Sequence, residues 1–202
     1  MKRYLFIALV TVLTIAGLPT LASAAGNVEK TVTYEMVAPA SGLVATRVDR
    51  DNPPRGGCVI DLGGEVTAEY INGGLVATQA DYAAWIDCDT LGNTSQTMRH
   101  LWVGAEQYIN GTPAQPDATP RECSHESSSQ PTCVDVRSEA VAFCFTISMV
   151  CAGTYYIDGG YSLLLPAGWI WSTISPNCLR LAPAEITCAL TTVPVNVSPI
   201  YP

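Results

Sequence analysis

Apolar and polar residues alternate with a period of two along most of this chain, and helical periodicity is nearly absent. In residues 31–36, Val32, Tyr34 and Met36 fall on one face and polar residues on the other, and residues 65–70 repeat the alternation. A strand with one apolar and one polar face is typical of an antiparallel sheet that buries one side. The pattern therefore predicts an all-β protein.

Turn residues separate the alternating runs. Asn72-Gly73, Asn110-Gly111 and Asp158-Gly159 each join residues that tolerate positive φ, as tight hairpin turns require. The chain is long enough for one conventional domain with a real core, and its pattern predicts a β-sandwich. We expect strands close to residues 30–38, 42–48, 58–62, 65–71, 74–79, 81–88, 98–109, 133–137, 140–149, 154–164, 169–174 and 186–197.

The beginning of the chain has the order of a cleavable export signal. Lys2 and Arg3 form a positive start, residues 4–15 are a short apolar run, and residues 22–24 are small, as a cleavage site requires. Gly17 interrupts the apolar run before the ~20 residues that a membrane span needs. We therefore expect a secreted, extracellular protein with no membrane attachment after cleavage.

Three segments follow from this reasoning: a signal peptide (1–25), an N-terminal hairpin and linker (26–57), and the β-sandwich domain (58–202). The second boundary is placed at residues 51–57, where two adjacent prolines restrict the backbone and two adjacent glycines after them make it flexible. We expect this segment to separate the N-terminal hairpin from the main sandwich.

All eight cysteines lie after the signal, where an oxidising environment and an even count imply up to four disulfides. No C-x-x-C pair is present, so we expect no zinc site. We assign no residue to another metal and expect no cofactor. Short spacing predicts the local bridges Cys123–Cys133 and Cys178–Cys188. Alternation places Cys88 on an apolar face and Cys144 on a face of small residues, and we expect the bridges Cys88–Cys151 and Cys58–Cys144 across the sandwich.

The charge of the chain excludes two classes of partner. Its formal net charge is −8, which becomes −10 when Lys2 and Arg3 leave with the signal, and Lys30 is then the only lysine. Nucleic acids and anionic membranes are bound through clustered cations. We expect neither as a partner, and we expect instead an extracellular protein or a polysaccharide.

A succession of cysteines, turns and aromatic residues covers about residues 80–175. It consists of Cys88 at a strand end, Leu101-Trp102-Val103, Asn110-Gly111, the Ser-rich loop between Cys123 and Cys133, Cys151-Ala152-Gly153-Thr154-Tyr155-Tyr156, and Pro166-Ala167-Gly168-Trp169. This succession resembles small uncharacterised secreted proteins of actinomycete-type bacteria with an immunoglobulin-like β-sandwich. The resemblance implies a disulfide-stabilised immunoglobulin-like fold and an extracellular location, and it implies no activity. Trp85 beside an inward cysteine is compatible with such packing.

Candidate catalytic groups are few. Residues 124–126 (Ser-His-Glu) have the types of a hydrolase triad, but consecutive residues do not align toward one another, and no Gly-x-Ser-x-Gly motif accompanies them. Glu65 and Glu69 stand ~13 Å apart on one strand face, beyond the span of a glycosidase pair. Asp87 and Asp89, ~7 Å apart, fit an inverting glycosidase pair, a calcium site or solvated strand-end acids. We assign no catalytic residue and expect no enzyme.

Aromatic residues supply the remaining candidates. Trp169 and Trp171 share one face of a predicted strand ~7 Å apart, and three tyrosines lie within residues 155–161. If these rings face solvent they stack on sugars or anchor a protein, and if they face inward they form core. We expect a non-catalytic extracellular or envelope-associated interaction protein of unknown partner. The alternatives are a carbohydrate-binding module that uses exposed aromatics, and a secreted protease inhibitor that presents the Cys123–Cys133 loop.

Overall fold

The computed structural model describes residues 30–39, 41–48, 55–88, 98–114, 118–124, 133–147 and 150–202. These segments contain strands and no helix, and every strand pairing in them is antiparallel, so the all-β prediction is confirmed. The strands are β1 (Lys30–Val37), β2 (Ser41–Arg47), β3 (Arg55–Ile71), β4 (Gly74–Cys88), β5 (His100–Ile109), β6 (Thr112–Pro113), β7 (Arg121–Ser124), β8 (Asp135–Phe145), β9 (Gly153–Leu164), β10 (Trp169–Thr173), β11 (Cys178–Ala182), β12 (Glu185–Thr191) and β13 (Val195–Val197).

The expected signal peptide lies outside the described residues. Within the described part of the chain, no helix has the length and apolar character needed to cross a membrane.

The first sheet, with strand order β10-β2-β3-β4-β8, is built around the hairpin of β3 and β4. Asn72 and Gly73 join these strands with φ of 51° and 76°, the positive values that a two-residue hairpin turn needs. β3 is 17 residues long, so β1 pairs with its second half and β2 with its first half along the same edge. The predicted strands 58–62 and 65–71 are therefore one strand. β1 and β2 belong to this sheet, and β3 runs through the expected boundary at residue 57.

The second sheet has the order β11-β12-β9-β5-β6, and in it too short strands pair with successive parts of a longer strand. β12 and β13 pair with successive parts of β9, and β7 and β6 pair with opposite ends of β5. The central pair, β5 and β9, is in register from His100 opposite Leu164 to Ile109 opposite Tyr155. Because alternate residues point to opposite faces, each central strand has one face toward the first sheet and one toward solvent.

The apolar faces of the two sheets pack against each other and form the core. Tyrosines on β9 reach across this core to the first sheet. The Tyr161 hydroxyl donates to the Asp61 carbonyl at 2.6 Å, and the Tyr155 hydroxyl donates to the Cys151 carbonyl at 2.6 Å and lies 2.9 Å from Thr78 Oγ1. Each buried hydroxyl therefore has a partner, which removes the cost of an unpaired polar group in the core.

Four disulfides brace this sandwich: Cys58–Cys88, Cys123–Cys133, Cys144–Cys151 and Cys178–Cys188. Both predicted local bridges are present. The predicted bridges Cys88–Cys151 and Cys58–Cys144 are wrong. Cys58 and Cys88 are directly opposite each other in the β3–β4 hairpin, and Cys144 at the end of β8 closes the short connection to Cys151 before β9. Cys58, Cys88, Cys144 and Cys151 are all buried, as expected for Cys88 from its apolar face, but each is bridged to a cysteine that is near it in the strand topology and not across the sandwich.

Candidate binding faces

Trp169 and Trp171 are core residues, with 1% and 0% of their surfaces exposed. β10 pairs with β2 at the edge of the first sheet, and the face that carries both indoles is turned toward the second sheet. The indole Nε1 of Trp171 donates to the Ala184 carbonyl at 3.1 Å. Of the two alternatives that the sequence left open, the core position is therefore correct and the possible ligand-facing role of Trp169 and Trp171 is ruled out, because strand pairing turns their shared face inward.

The remaining polar candidates do not come together in the described residues. His100 and Ser124 are opposite each other on β5 and β7, but His125 and Glu126 lie outside the described residues, as does most of the Cys123–Cys133 loop. The His100 Nδ1 lies 3.4 Å from a Glu122 carboxylate oxygen, which is a surface contact. No group of three or more His, Cys, Asp or Glu side chains able to hold a metal occurs within the segments that the structure describes.

The paired carboxylates from the sequence lie on the outer face of the first sheet. Glu65 is opposite Asp81 on β4, and Glu69 is opposite Ala77. Asp87 is exposed at the end of β4, and Asp89 is outside the described residues. Strand geometry keeps these side chains on one solvent-facing surface.

A groove of about 590 Å³ crosses the outer face of the second sheet. We call it the Trp102 groove. Gly104, Gly160 and Ala189 form its floor, and they are directly opposite one another on β5, β9 and β12. Residues 118–120 contribute Ala118 and Pro120 along one side.

The Trp102 indole lies over the glycines of this floor. A Cβ atom added to Gly104 would stand 3.1 Å from Trp102 Cη2, and one added to Gly160 would stand 3.2 Å from Trp102 Cζ3. Those separations are shorter than ordinary van der Waals contact, so the ring takes this position because both residues lack side chains. The six-membered ring of the indole is thereby held against two neighbouring strands.

Two carboxylates face each other in the next row of the groove. Glu106 on β5 is directly opposite Asp158 on β9. The Tyr108 hydroxyl donates to Glu106 Oε2 at 2.7 Å, and the Thr191 hydroxyl donates to Asp158 Oδ1 at 2.6 Å. The hydrogen bond to Glu106 raises the pKa of Tyr108 to about 12, because ionisation of the phenol would remove the proton that it donates to Glu106. These hydroxyls fix the carboxylates and leave them further lone pairs for a ligand.

A stacked tyrosine pair follows the carboxylates. Tyr108 and Tyr156 are opposite each other, with ring centroids 5.0 Å apart and planes at 3°. Successive rows on one face of a strand are ~7 Å apart. The outer face of the second sheet therefore presents an indole, a pair of carboxylates and an aromatic pair in succession along β5.

The outer face of the first sheet carries a second groove, of about 750 Å³, which we call the Trp85 groove. Trp85 is half-buried, and a Cβ atom added to Gly63 would stand 4.0 Å from its Cη2 atom. The Arg137 guanidinium lies 5.8 Å from the indole ring centroid. Glu35, Glu65 and Asp81 lie side by side in one row across three strands. Trp85 is thus on the outer face, although its position beside Cys88 favoured core packing in the sequence.

An apolar strip occupies the same outer face at the end of β8. Its members include Phe143, 52% exposed, and Ile147, 96% exposed. The small residues of β8, Ala142 and Cys144, are the ones that point inward. Side-chain size alone therefore misleads about the buried face of this edge strand.

Trp102 was not among the candidate residues from the sequence, although the signal for its outward position was present. Along β5 the positions 100, 102, 104, 106 and 108 alternate with the apolar Leu101, Val103 and Ala105. This alternation assigns Trp102 to the polar face together with Glu106. Comparisons of the chain with protein-family models, curated proteins and solved structures found no match.

Proposed function

We propose that this protein is a secreted, non-catalytic interaction protein that binds a neutral extracellular glycan in the Trp102 groove. The observation that carries the proposal is the Trp102 indole held over Gly104 and Gly160, one row from the opposed carboxylates Glu106 and Asp158. This keeps the interaction function expected from the sequence and assigns it to aromatics other than Trp169 and Trp171.

The chemistry of the groove suits a sugar polymer. The C–H face of a pyranose ring packs on a flat aromatic ring, and sugar hydroxyls donate to carboxylate oxygens. Ligand grooves combine an apolar surface with a few fixed polar groups in this way. No basic side chain lines the groove among the described residues, and a polyanionic glycan would meet two carboxylates. A neutral chain is therefore the favoured ligand.

Binding without catalysis is proposed because both carboxylates rise from the same sheet face. Glycoside hydrolysis needs two carboxyl groups on either side of the scissile bond, one to protonate it and one to attack or to activate water. Glu106 and Asp158 are directly opposite each other on neighbouring strands, and a neighbouring hydroxyl already holds each of them. Such groups serve as fixed acceptors.

We infer further that the sandwich is of the immunoglobulin-like type and is exported. Two packed antiparallel sheets support the fold, although the Cys58–Cys88 and Cys178–Cys188 bridges lie within sheets, whereas antibody domains bridge between them. Four disulfides in one small domain are typical of extracellular proteins, and the signal-like residues 1–25 agree. The acidic balance supports a partner other than nucleic acid or membrane.

Affinity gel electrophoresis tests glycan binding directly. The oxidised protein is run through native gels that contain hydroxyethylcellulose, xylan or mannan, with polygalacturonate as the anionic comparison. We expect at least one neutral polymer to retard the protein and Trp102→Ala to weaken that retardation about tenfold or more, as for other buried aromatic anchors. Phe143→Ala removes an exposed aromatic residue from the other sheet, remote from the Trp102 groove, and should have no effect. Absence of retardation in all neutral gels, or equal retardation of the Trp102→Ala protein, would refute the proposal.

A further inference from the structure

The two outer faces of the sandwich share one arrangement. In each, a tryptophan packs against glycine: a Cβ atom on Gly104 or Gly160 would crowd Trp102, and one on Gly63 would be in ordinary contact with Trp85 at 4.0 Å. In each, an opposed pair of carboxylates lies on the same face two rows from the tryptophan: Glu106 and Asp158 for Trp102, and Glu65 and Asp81 for Trp85. The strand pairings that create these rows are independent, because β3 and β4 form one face and β5 and β9 form the other.

The Trp85 groove has the hydrogen-bonding groups that a hydroxyl-rich chain needs. Asp61, directly opposite Trp85, and Asp81, four residues before Trp85 on the same face of β4, offer acceptor oxygens. Arg137, on the other side of Trp85, offers donors and is paired with Glu139 at 3.0 Å. Gly63 and Ala83 form the floor of the groove between these groups, and their small size leaves space above them. Indole, acceptors and donors thus line one continuous groove.

We propose that the Trp85 groove is a second binding site for the same class of glycan, so that one protein molecule joins two glycan chains. This inference rests on the proposed function of the Trp102 groove. The grooves lie on the outer faces of two sheets that pack face to face, so they open in opposite directions. A single stiff chain cannot occupy both, because it would have to turn around the edge of the sandwich. Occupation of both grooves therefore cross-links separate chains.

Two measurements test this. Isothermal titration with a hexasaccharide cut from the polymer that retards the protein gives the number of sites, and turbidity with the intact polymer reports cross-linking. We expect two sites and a precipitate for the wild-type protein. Trp85→Ala and Trp102→Ala should each bind one hexasaccharide and remain clear with the polymer. Each single variant should also lose about a hundredfold of affinity for immobilised polymer, as expected when two linked sites become one.

A second variant guards against misfolding of Trp85→Ala, since Trp85 covers part of the sheet. Asp81→Ala leaves the indole in place, and Asp81 is hydrogen-bonded only to the exposed Gln79 amide at 3.0 Å among the contacts described. It should weaken the second site severalfold without changing the first. Phe143→Ala serves as the control on the same face. One site in the wild-type protein, lost in Trp102→Ala and unaffected by Trp85→Ala and Asp81→Ala, would overturn this inference and leave the proposed function standing. No binding of any hexasaccharide or polymer would overturn both.

Discussion

Removal of the Cys58–Cys88 bridge should cost more stability than removal of any other bridge in this domain. The perturbation is the double substitution Cys58→Ala with Cys88→Ala, and the matched control is Cys144→Ala with Cys151→Ala. All four cysteines are at least 95% buried, so the loss of buried sulfur is similar in both variants. The two variants then differ mainly in the length of chain that each bridge closes.

The magnitude follows from those lengths. Cys58 and Cys88 are 30 residues apart, and Cys144 and Cys151 are 7 residues apart. In the chain-entropy model the first bridge contributes about 3.7 kcal/mol and the second about 2.4 kcal/mol, a difference of about 1.3 kcal/mol. A domain of this kind unfolds with about 5–15 kcal/mol in total, so either loss is readily measured.

Urea unfolding of the oxidised variants measures this difference, with midpoints and slopes compared to those of the wild-type protein. Alkylation and intact mass give a second readout. With the pairing described above, the Cys58→Ala/Cys88→Ala protein has no free thiol. A loss no larger than that of the Cys144→Ala/Cys151→Ala control would refute the loop-length argument, and two free thiols in the Cys58→Ala/Cys88→Ala protein would refute the pairing.

Three further outcomes are expected. Gln107 is fully buried and its side-chain amide has no hydrogen-bond partner, so Gln107→Leu should raise the free energy of unfolding by about 1–2 kcal/mol, and a decrease in a urea titration would contradict this. Gly160→Ala should push the Trp102 indole aside and weaken glycan retardation severalfold. The control is Gly42→Ala, where an added Cβ meets nothing within 4 Å, and it should leave retardation unchanged. Equal retardation of the Gly160→Ala and wild-type proteins would count against the described ring position. Burial raises the pKa of Tyr70, Tyr155 and Tyr161, so the folded state keeps these phenols protonated. Their contribution to stability is complete below about pH 10 and falls as the pH rises above it. A urea midpoint that is unchanged between about pH 9 and about pH 11 would contradict this.

The sequence was sufficient for the local parts of this fold. Period-two alternation with Asn72-Gly73 defines the β3–β4 hairpin, because a two-residue turn leaves the flanking strands one pairing. It did not show that β1 and β2 share one edge of β3, or that β12 and β13 share one edge of β9. Those arrangements depend on which strands pair although they are far apart in the sequence, and local periodicity contains no information about such pairing.

The candidate site was less accessible from the sequence for a related reason. Alternation groups residues by face but does not say which face is buried. Trp169 and Trp171 were correctly placed on one face, and pairing of β10 with β2 turns it inward. Large residues of β8 such as Phe143 point outward, and the inner face of this strand carries the small residues Ala142 and Cys144. The Trp102 groove depends on Gly104 and Gly160 meeting across two strands 56 residues apart, which only the register of β5 and β9 reveals.

Nuclear magnetic resonance of the four indole N–H groups tests the glycan-binding account most directly. Two of the tryptophans, Trp169 and Trp171, are buried in the core, and Trp85 and Trp102 lie on the outer faces. Each resonance is assigned by a single Trp→Phe substitution and followed during titration with the hexasaccharide. If the Trp102 groove binds the glycan, the Trp102 resonance shifts saturably while those of Trp169 and Trp171 stay fixed. A Trp102 resonance that does not move, or shifts confined to Trp169 and Trp171, would contradict it.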